Sequence, residues 1–104
     1  MIAMTGSDAS EPDLQALRAE IDEIDQQIML LLGVRFRCTD MLDDLKQAHG
    51  LESGDPRRVE QQLARIRELA VDAGVPPELA ATILRAVIDT VLEQHRQRRE
   101  RPYS

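Results

Sequence analysis

The most constraining feature of the sequence is one long stretch, Asp13 to His49, that contains no proline and a single glycine, Gly33. Six apolar residues recur along its first half at spacings of 3, 4, 3, 4 and 3, the a/d pattern of a helix that packs along one line. We call them the apolar seam: Leu14, Leu17, Ile21, Ile24, Ile28 and Leu31. The first stop signal is Gly50, because glycine readily adopts a left-handed cap. The sequence therefore predicts one helix from Asp13 to about His49.

A helix of that length is too long for a small globule. It would extend roughly 50 Å at 1.5 Å per residue, whereas a compact monomer of about 100 residues has a radius of gyration of about 13 Å. Either the helix breaks near Gly33, or its overhanging part packs on another chain. Apolar residues continue across the glycine at Leu32, Val34 and Phe36, which favours packing on another chain. We therefore expect a homodimer.

Two shorter helices follow a loop at residues 51–54. Asp55-Pro56 is typical of a helix start, with Asp as the N-cap and Pro at the first position. Gly74 is expected to end this helix, and Pro76-Pro77 to open the next. Their predicted apolar faces are Val59, Leu63, Ile66 and Ala70 on the second helix, and Leu79, Ile83, Val87 and Val91 on the third, widened by Leu84, Ile88 and Leu92. Because there is no strand signal, the expected fold is all-α. Three helices of unequal length indicate a dimer whose long helices are exchanged or antiparallel.

Composition limits the classes of function. The chain has 104 residues, a net charge of −6 and a pI of about 4.8, which disfavours nucleic-acid binding because phosphate neutralisation supplies most of that affinity. The N-terminal residues form neither a signal peptide nor a membrane span, so a cytoplasmic location is expected. We divide the chain into a disordered tail (1–12), a helical domain (13–96) and a basic tail (97–104) that is expected to lie in water.

The cysteine and histidine contents argue against structural metals and disulfides. Cys38 is the single cysteine, so an intrachain disulfide and a four-cysteine zinc site are excluded. Its simplest role is that of a small buried side chain. His49 and His95 are too few and too distant in sequence to indicate a metal centre. We expect no metal and no cofactor.

Three basic residues of the first helix are candidates for binding an anion. Arg35 and Lys46 are eleven residues apart, which places them within about 20° of the same direction on a helix. Arg18 lies about 25 Å from Arg35 along the axis, so the two cannot bind one small molecule within a chain. In an antiparallel dimer, Arg18 of one chain can approach Arg35 of the other. The alternative role of each is a solvated charge, for Arg18 in a pair with Asp22.

The later helices offer further polar candidates. Arg58 lies one turn into the second helix, and its alternative role is an ion pair with Asp55 or Glu60. Thr90 and Gln94 share a face of the third helix at the margin of its apolar side, where such residues are more often structural. The sequence contains no nucleophile–base pair, no glycine-rich phosphate loop and no paired acids in a cleft.

The order and spacing of these residues resemble the all-helical chorismate mutase family, which also includes isochorismate pyruvate lyase. The similarity covers about residues 14–94, and its most specific element is Leu-Arg-x-x-Ile-Asp-x-Ile-Asp at Leu17 to Asp25. The resemblance implies a domain-swapped homodimer. It implies a role in the shikimate pathway of aromatic amino acid biosynthesis. It also implies a dicarboxylate substrate, chorismate or a close relative, and an isomerase activity. It leaves open an activating protein partner.

The resemblance assigns roles residue by residue. Arg35 and Arg58 would bind substrate carboxylates, with Thr90 near one of them. Lys46 and Gln94 would face the ether oxygen of the breaking bond. Arg18 would reach into the partner's site. The catalytic candidates are thus Lys46, Gln94 and Arg35.

Two positions depart from the family pattern. Val59 stands where chorismate mutases usually have Glu or Gln facing the ring hydroxyl, so Asp55 is a candidate to meet the ring substituent instead. Asp43 stands where many have Gly. Val59 keeps two related activities open: an isochorismate pyruvate lyase and a 4-amino-4-deoxychorismate mutase. A non-catalytic helical dimer is the third alternative, which the apolar seam alone would explain.

Overall fold

The computed structural model describes residues 11–100, which form three α-helices without a strand. They are α1 (Glu11–Ala48), α2 (Pro56–Ala73) and α3 (Pro77–Glu100). The expected all-α class is therefore confirmed. The chain divides into two compact units, Met1–Arg37 and Cys38–Ser104. The described part of the first unit is the beginning of α1, and the second unit holds the rest of α1 with α2 and α3.

Helix α1 is continuous through Gly33, as the sequence predicts, and it begins at Glu11 rather than Asp13. Its first turn carries Glu11 and Asp13 and its last turn Lys46, charges that complement the helix dipole. The end is a glycine cap: Gly50 has a φ of 69°, and the amide of Leu51 donates to the carbonyl of Lys46 at 2.7 Å. This left-handed cap stops the helix where the sequence predicts.

Helix α2 begins and ends at the predicted signals. Asp55 is the N-cap, and its side chain accepts a hydrogen bond from the Arg57 amide at 3.1 Å. Pro56, which has no amide hydrogen to satisfy, occupies the first helical position. Gly74 caps the other end with a φ of 76°, and the Val75 amide donates to the Ala70 carbonyl at 2.9 Å.

Helices α2 and α3 pack as a hairpin. The buried apolar side chains are Leu63 and Ala70 of α2 with Ala81, Ile88 and Val91 of α3. The predicted apolar face of α3 is confirmed at Val91 and Ile88, which are buried, and the other half-buried members are Val87, Leu84 and Leu92. It is wrong at Leu79 and Ile83, which are exposed. An ion pair between Arg67 and Glu78 (2.9 Å) bridges the two helices at the surface.

The first unit leaves the apolar seam uncovered. Its six side chains are 38% exposed at Leu14 and up to 69% exposed at Leu31. A row of large apolar side chains in contact with water is costly, and on natural proteins it marks a surface that another partner covers. Within this unit, the described chain supplies no such cover.

Two expectations about polar surfaces require correction. Residues 97–100 continue α3 instead of forming a solvated tail, and both Arg98 and Arg99 contact acidic side chains; Arg101 and the N-terminal residues 1–10 lie outside the described range. Cys38, expected to be buried, is exposed. Arg98 and Arg99 face carboxylates on α1, which the charge of the tail alone does not reveal.

Candidate active site

The two N-terminal site candidates lie in the first unit. Arg18 is exposed and Arg35 is half-buried. Neither forms an ion pair with another described residue, so the surface pair of Arg18 with Asp22 is not made. Both guanidinium groups are therefore available to a ligand. The other six candidates belong to the second unit, and neither unit by itself contains all eight residues.

Lys46 occupies the last turn of α1. Its side chain is half-buried and makes no ion pair within residues 11–100. Its carbonyl, in contrast, accepts two hydrogen bonds, from the amides of His49 (3.2 Å) and Leu51 (2.7 Å). The backbone of Lys46 is thus fixed by the helix cap, while its ammonium group stays free for a ligand.

The start of α2 presents Asp55, Arg58 and Val59 within two turns. Asp55 has a structural function as the N-cap, through one carboxylate oxygen. Arg58 is exposed, and the ion pairs with Asp55 or Glu60 are not formed. Val59 is half-buried and, as an apolar side chain, cannot accept a hydrogen bond from a ring hydroxyl.

Thr90 and Gln94 lie on an exposed part of α3, beside the buried Val91. The Thr90 hydroxyl donates to the carbonyl of Ala86 at 2.8 Å, so it remains able to accept but not to donate. The amide of Gln94 has no partner among the described residues, and both its donor and its acceptor are available.

The lack of an ion pair does not by itself distinguish the predicted cations from other arginines. Four other arginines, Arg37, Arg57, Arg65 and Arg85, also lack an ion pair within the described chain. Partial burial distinguishes two of the candidates: Arg35 and Lys46 are half-buried, whereas Arg18 and Arg58 are exposed. A half-buried, unpaired cation is less well solvated, and it gains more from binding an anion.

The second unit also contains a group of acidic and basic residues that are not among the predicted site residues. We call it the ion cluster: Asp40, Asp43 and Asp44 of α1 with His95, Arg98 and Arg99 of α3. Asp43 is only 2% exposed and His95 only 4%. Arg99 donates to Asp43 at 2.8 Å, and His95 Nε2 lies 2.9 Å from Asp40. The contacts tie the end of α3 to the end of α1.

The carboxylate of Asp43 is stabilised in its charged form. Burial alone raises its pKa, but hydrogen bonds from Arg99 and Gln47 and the charges of His95 and Arg99 outweigh burial. Together they hold the pKa of Asp43 below its usual 3.8. The side chain of Gln47 donates to the second carboxylate oxygen at 2.9 Å. Asp43 is therefore a buried anion with both oxygens satisfied.

A sequence signal for this cluster does exist. The three acids at 40, 43 and 44 and the three basic residues at 95, 98 and 99 repeat the same spacing of three and one. On helices, each set forms one compact patch. Two patches of opposite charge and equal spacing indicate a contact, but only if the helices are known to be neighbours.

The described residues offer no group of three or more His, Cys, Asp or Glu side chains that could hold a metal ion. Of the three described helices, none combines the length and the apolar composition that a membrane span requires. The first unit carries two unpaired candidate cations, and the second carries two more together with side-chain amide and hydroxyl groups. Such groups can bind and orient an anion, and they stabilise negative charge that develops during a reaction.

Comparison with known protein families shows the family to which the chain belongs. The sequence model described as chorismate mutase type II matches residues 17–96, which is most of the chain. The chain belongs to the type II chorismate mutase family. All eight site candidates, Arg18 to Gln94, lie within the matched residues. Arg98 and Arg99 of the ion cluster lie beyond them.

Two relatives are similar over most of the chain. The T-protein of Enterobacter agglomerans is 36% identical over 76 residues, which are 73% of this chain and 20% of that protein. The 4-amino-4-deoxychorismate mutase of Streptomyces pristinaespiralis is 28% identical over 90 residues, 86% of this chain and 67% of that protein. The chain therefore spans about a fifth of the first relative and about two thirds of the second.

Proposed function

We propose that the chain is a chorismate mutase, an isomerase that rearranges chorismate to prephenate. The observation that carries this proposal is the chorismate mutase type II match over residues 17–96, together with the residues that it includes. Those are four cations and four further side chains: Arg18, Arg35, Lys46, Arg58, Asp55, Val59, Thr90 and Gln94.

The chemistry suits this set of residues. In the rearrangement, the ether C–O bond breaks and a C–C bond forms in one concerted step, without a nucleophile or an obligatory proton transfer. The protein has to hold a flexible dianion in its reactive conformer and stabilise charge on the ether oxygen. Fixed cations and hydrogen-bond donors supply both effects. A site without a catalytic dyad is therefore what the reaction requires.

The proposed roles follow the family resemblance. Arg35 and Arg58 bind the two carboxylates, since the guanidinium fork matches a carboxylate in a bidentate way. Lys46 and Gln94 donate to the ether oxygen. Thr90 lies near a carboxylate. The partial burial of Arg35 and Lys46, neither of which forms an ion pair with another described residue, supports this assignment.

Two side chains at the start of α2, Asp55 and Val59, are candidates to contact the ring substituent. We assign Asp55 as the residue that contacts the ring hydroxyl of the substrate, and Val59 as an apolar contact of the ring. The free oxygen of Asp55 supports this, because the N-cap hydrogen bond uses only Oδ1.

The proposed active form is a homodimer in the cytoplasm. The uncovered apolar seam of the first unit supports a second copy as its cover, because the seam has the heptad spacing of a helix–helix contact. In this dimer, Arg18 of one chain completes the site of its partner. Activation by another protein is a proposal that rests on the family resemblance alone.

Neighbouring arginines provide a matched test of the mutase proposal. Arg58→Ala should lower kcat/KM for chorismate by about a hundredfold or more, since it removes a charge-assisted bond to a carboxylate. Arg57→Ala removes an arginine that is also exposed and forms no ion pair with another described residue, and it should change kcat/KM less than about twofold. The conversion of chorismate to prephenate by purified protein is the measurement. Equal effects of both substitutions, or no turnover by the wild-type protein, would contradict the proposal.

A second candidate function is favoured by Val59. The relative from Streptomyces pristinaespiralis is named as a 4-amino-4-deoxychorismate mutase, and an apolar residue at this position also suits the lyase that forms salicylate from isochorismate. The kcat/KM values for chorismate, isochorismate and 4-amino-4-deoxychorismate, measured side by side, separate the three activities. A wide margin for chorismate would exclude the alternatives.

A non-catalytic helical dimer is tested separately. It predicts that Lys46→Ala leaves every one of these activities unchanged, whereas the mutase proposal predicts a large loss of kcat.

A further inference from the structure

The guanidinium of Arg99 connects three parts of the second unit. From the last turn of α3, its Nη2 donates to Asp43 Oδ1 at 2.8 Å, and its Nη1 donates to the carbonyl of Leu51 at 2.9 Å. Asp43 belongs to α1, and Leu51 lies in the loop of residues 49–55 that connects α1 to α2. One planar group therefore fixes a helix and the loop that follows it.

Both backbone groups of Leu51, the carbonyl and the amide, form hydrogen bonds. Its carbonyl accepts from Arg99, while its amide donates to the carbonyl of Lys46 at 2.7 Å. Arg99 is thus connected to the backbone of Lys46 through a single residue. Asp43, the other acceptor of Arg99, lies one helical turn before Lys46. The backbone that carries the Lys46 ammonium is held from two directions.

The second proposed donor to the ether oxygen lies next to the same cluster. Gln94 precedes His95, whose ring is 4% exposed and whose Nε2 lies 2.9 Å from Asp40. Arg98 adds contacts to Asp40 and Asp44. The ion cluster therefore fixes α1 and α3 at the two positions from which Lys46 and Gln94 extend.

Placement matters strongly in the proposed reaction. With no nucleophile, the rate depends on donors that are fixed where charge develops, and a displacement of about 1 Å can cost about a hundredfold in rate. A buried ion pair whose side chains have little conformational freedom is suited to fixing such a donor. Asp43 is 2% exposed, both of its oxygens are bonded, and a planar fork loses little entropy for each bond.

We infer that Arg99, through Asp43 and the Leu51 carbonyl, is a positioning residue that sets the placement of Lys46 and of the loop before α2. This role rests on the proposed mutase function. It falls outside the family pattern, since Arg99 lies beyond the matched residues 17–96 and Asp43 replaces the glycine that many members have. Arg99 does not touch the substrate, so its effect passes through Lys46.

Substitutions at two arginines of α3 test this role. Arg99→Gln should lower kcat by about tenfold or more while KM changes less than about threefold. It should also speed amide hydrogen exchange in residues 49–55. Arg96→Gln is the matched control, because among the described residues Arg96 pairs only with Glu93 and Glu100 of its own helix. In this variant, kcat and loop exchange should not change. Arg99→Lys keeps the charge without the fork and should recover part of kcat.

The outcomes separate the two proposals. Wild-type protein that is active, with Arg99→Gln equally active or with loop exchange unaltered, would overturn the positioning role and leave the mutase proposal standing. A rise in KM with kcat unchanged would also overturn it, because it would indicate a substrate contact. If Arg99→Gln does not fold, Arg99→Lys decides on the same readouts. Wild-type protein without mutase activity would refute the proposed function and this role with it.

Discussion

The two parts of α1 satisfy their side chains in opposite ways. In the first unit, the apolar seam from Leu14 to Leu31 is uncovered, with exposures of 38% to 69%. In the second unit, Asp43 lies on the same helix and is 2% exposed, because α3 supplies Arg99 and His95. One part lacks a partner for its apolar groups, and the other has a partner for its charges.

The difference separates what one chain can stabilise from what it cannot. A charged residue finds its partners within the second unit, through hydrogen bonds with defined geometry. The seam consists of groups that need only an apolar surface, and residues 11–37, the described part of its own unit, offer none. We therefore expect that the seam is a surface for assembly, and that the ion cluster is a feature of the folded chain itself.

The largest expected effect comes from placing a charge in the seam. Ile24→Asp should abolish both the dimer and the activity, because an unpaired carboxylate at a helix–helix contact costs several kcal/mol or more. Gln26→Asp introduces the same acid about 200° around the helix and should leave assembly intact. Sedimentation velocity gives the oligomeric state, and the chorismate assay gives the activity. A wild-type monomer that is fully active would show that the seam has no role in assembly.

The next effect tests whether one site needs two chains. Arg18→Ala and Arg35→Ala homodimers should each lose about a hundredfold or more in kcat/KM. Refolding the two together should restore about a quarter of the wild-type activity, since half of the dimers are mixed and each mixed dimer has one complete site. Refolding each variant alone is the control. If isolated mixed dimers are as inactive as the parents, Arg18 and Arg35 do not meet across chains.

The helices of this chain were predictable because their signals are local. Asp55-Pro56, Gly50 and Gly74 mark helix ends through the conformations and caps of single residues, and all three act as predicted. The continuity of α1 across Gly33 followed from the apolar residues on either side. Each of these features depends on a few neighbours along the chain.

The apolar face of α3 and the ion cluster depend instead on contacts between helices. Leu79 and Ile83 have the same spacing as a buried face, yet they are exposed, because the neighbouring helix decides which side of an apolar helix is covered. The charges of Arg98 and Arg99 suggest a solvated tail, and only the proximity of α1 shows that they bind carboxylates.

The candidate site likewise includes residues that the sequence identifies and a contact that it does not reveal. Arg18, Arg35, Lys46, Arg58 and Gln94 were identified by their order and spacing, and the family match includes all of them. Their roles at a substrate remain predictions. Nothing local in the sequence indicated that Lys46 adjoins a helix cap that is bonded to Arg99, since residues 46 and 99 are far apart along the chain.

The smallest expected effect tests the ion cluster as a property of the single folded chain. Asp43→Asn removes the buried charge beside Arg99 and should lower the free energy of unfolding by about 1–3 kcal/mol at pH 7. The folded state holds the pKa of Asp43 below its usual 3.8, so the charge stabilises the fold above that pH. This stabilisation is lost as the pH falls through the lower folded value. The stability difference between wild type and variant should therefore be constant near neutral pH and shrink below about pH 4.

Asp44→Asn, which alters a carboxylate that is 62% exposed, should change stability little at any pH. Urea titrations from pH 7 down to pH 3, at fixed protein concentration, give both differences. A difference for Asp43→Asn that does not depend on pH would show that the charge of Asp43 does not stabilise the fold.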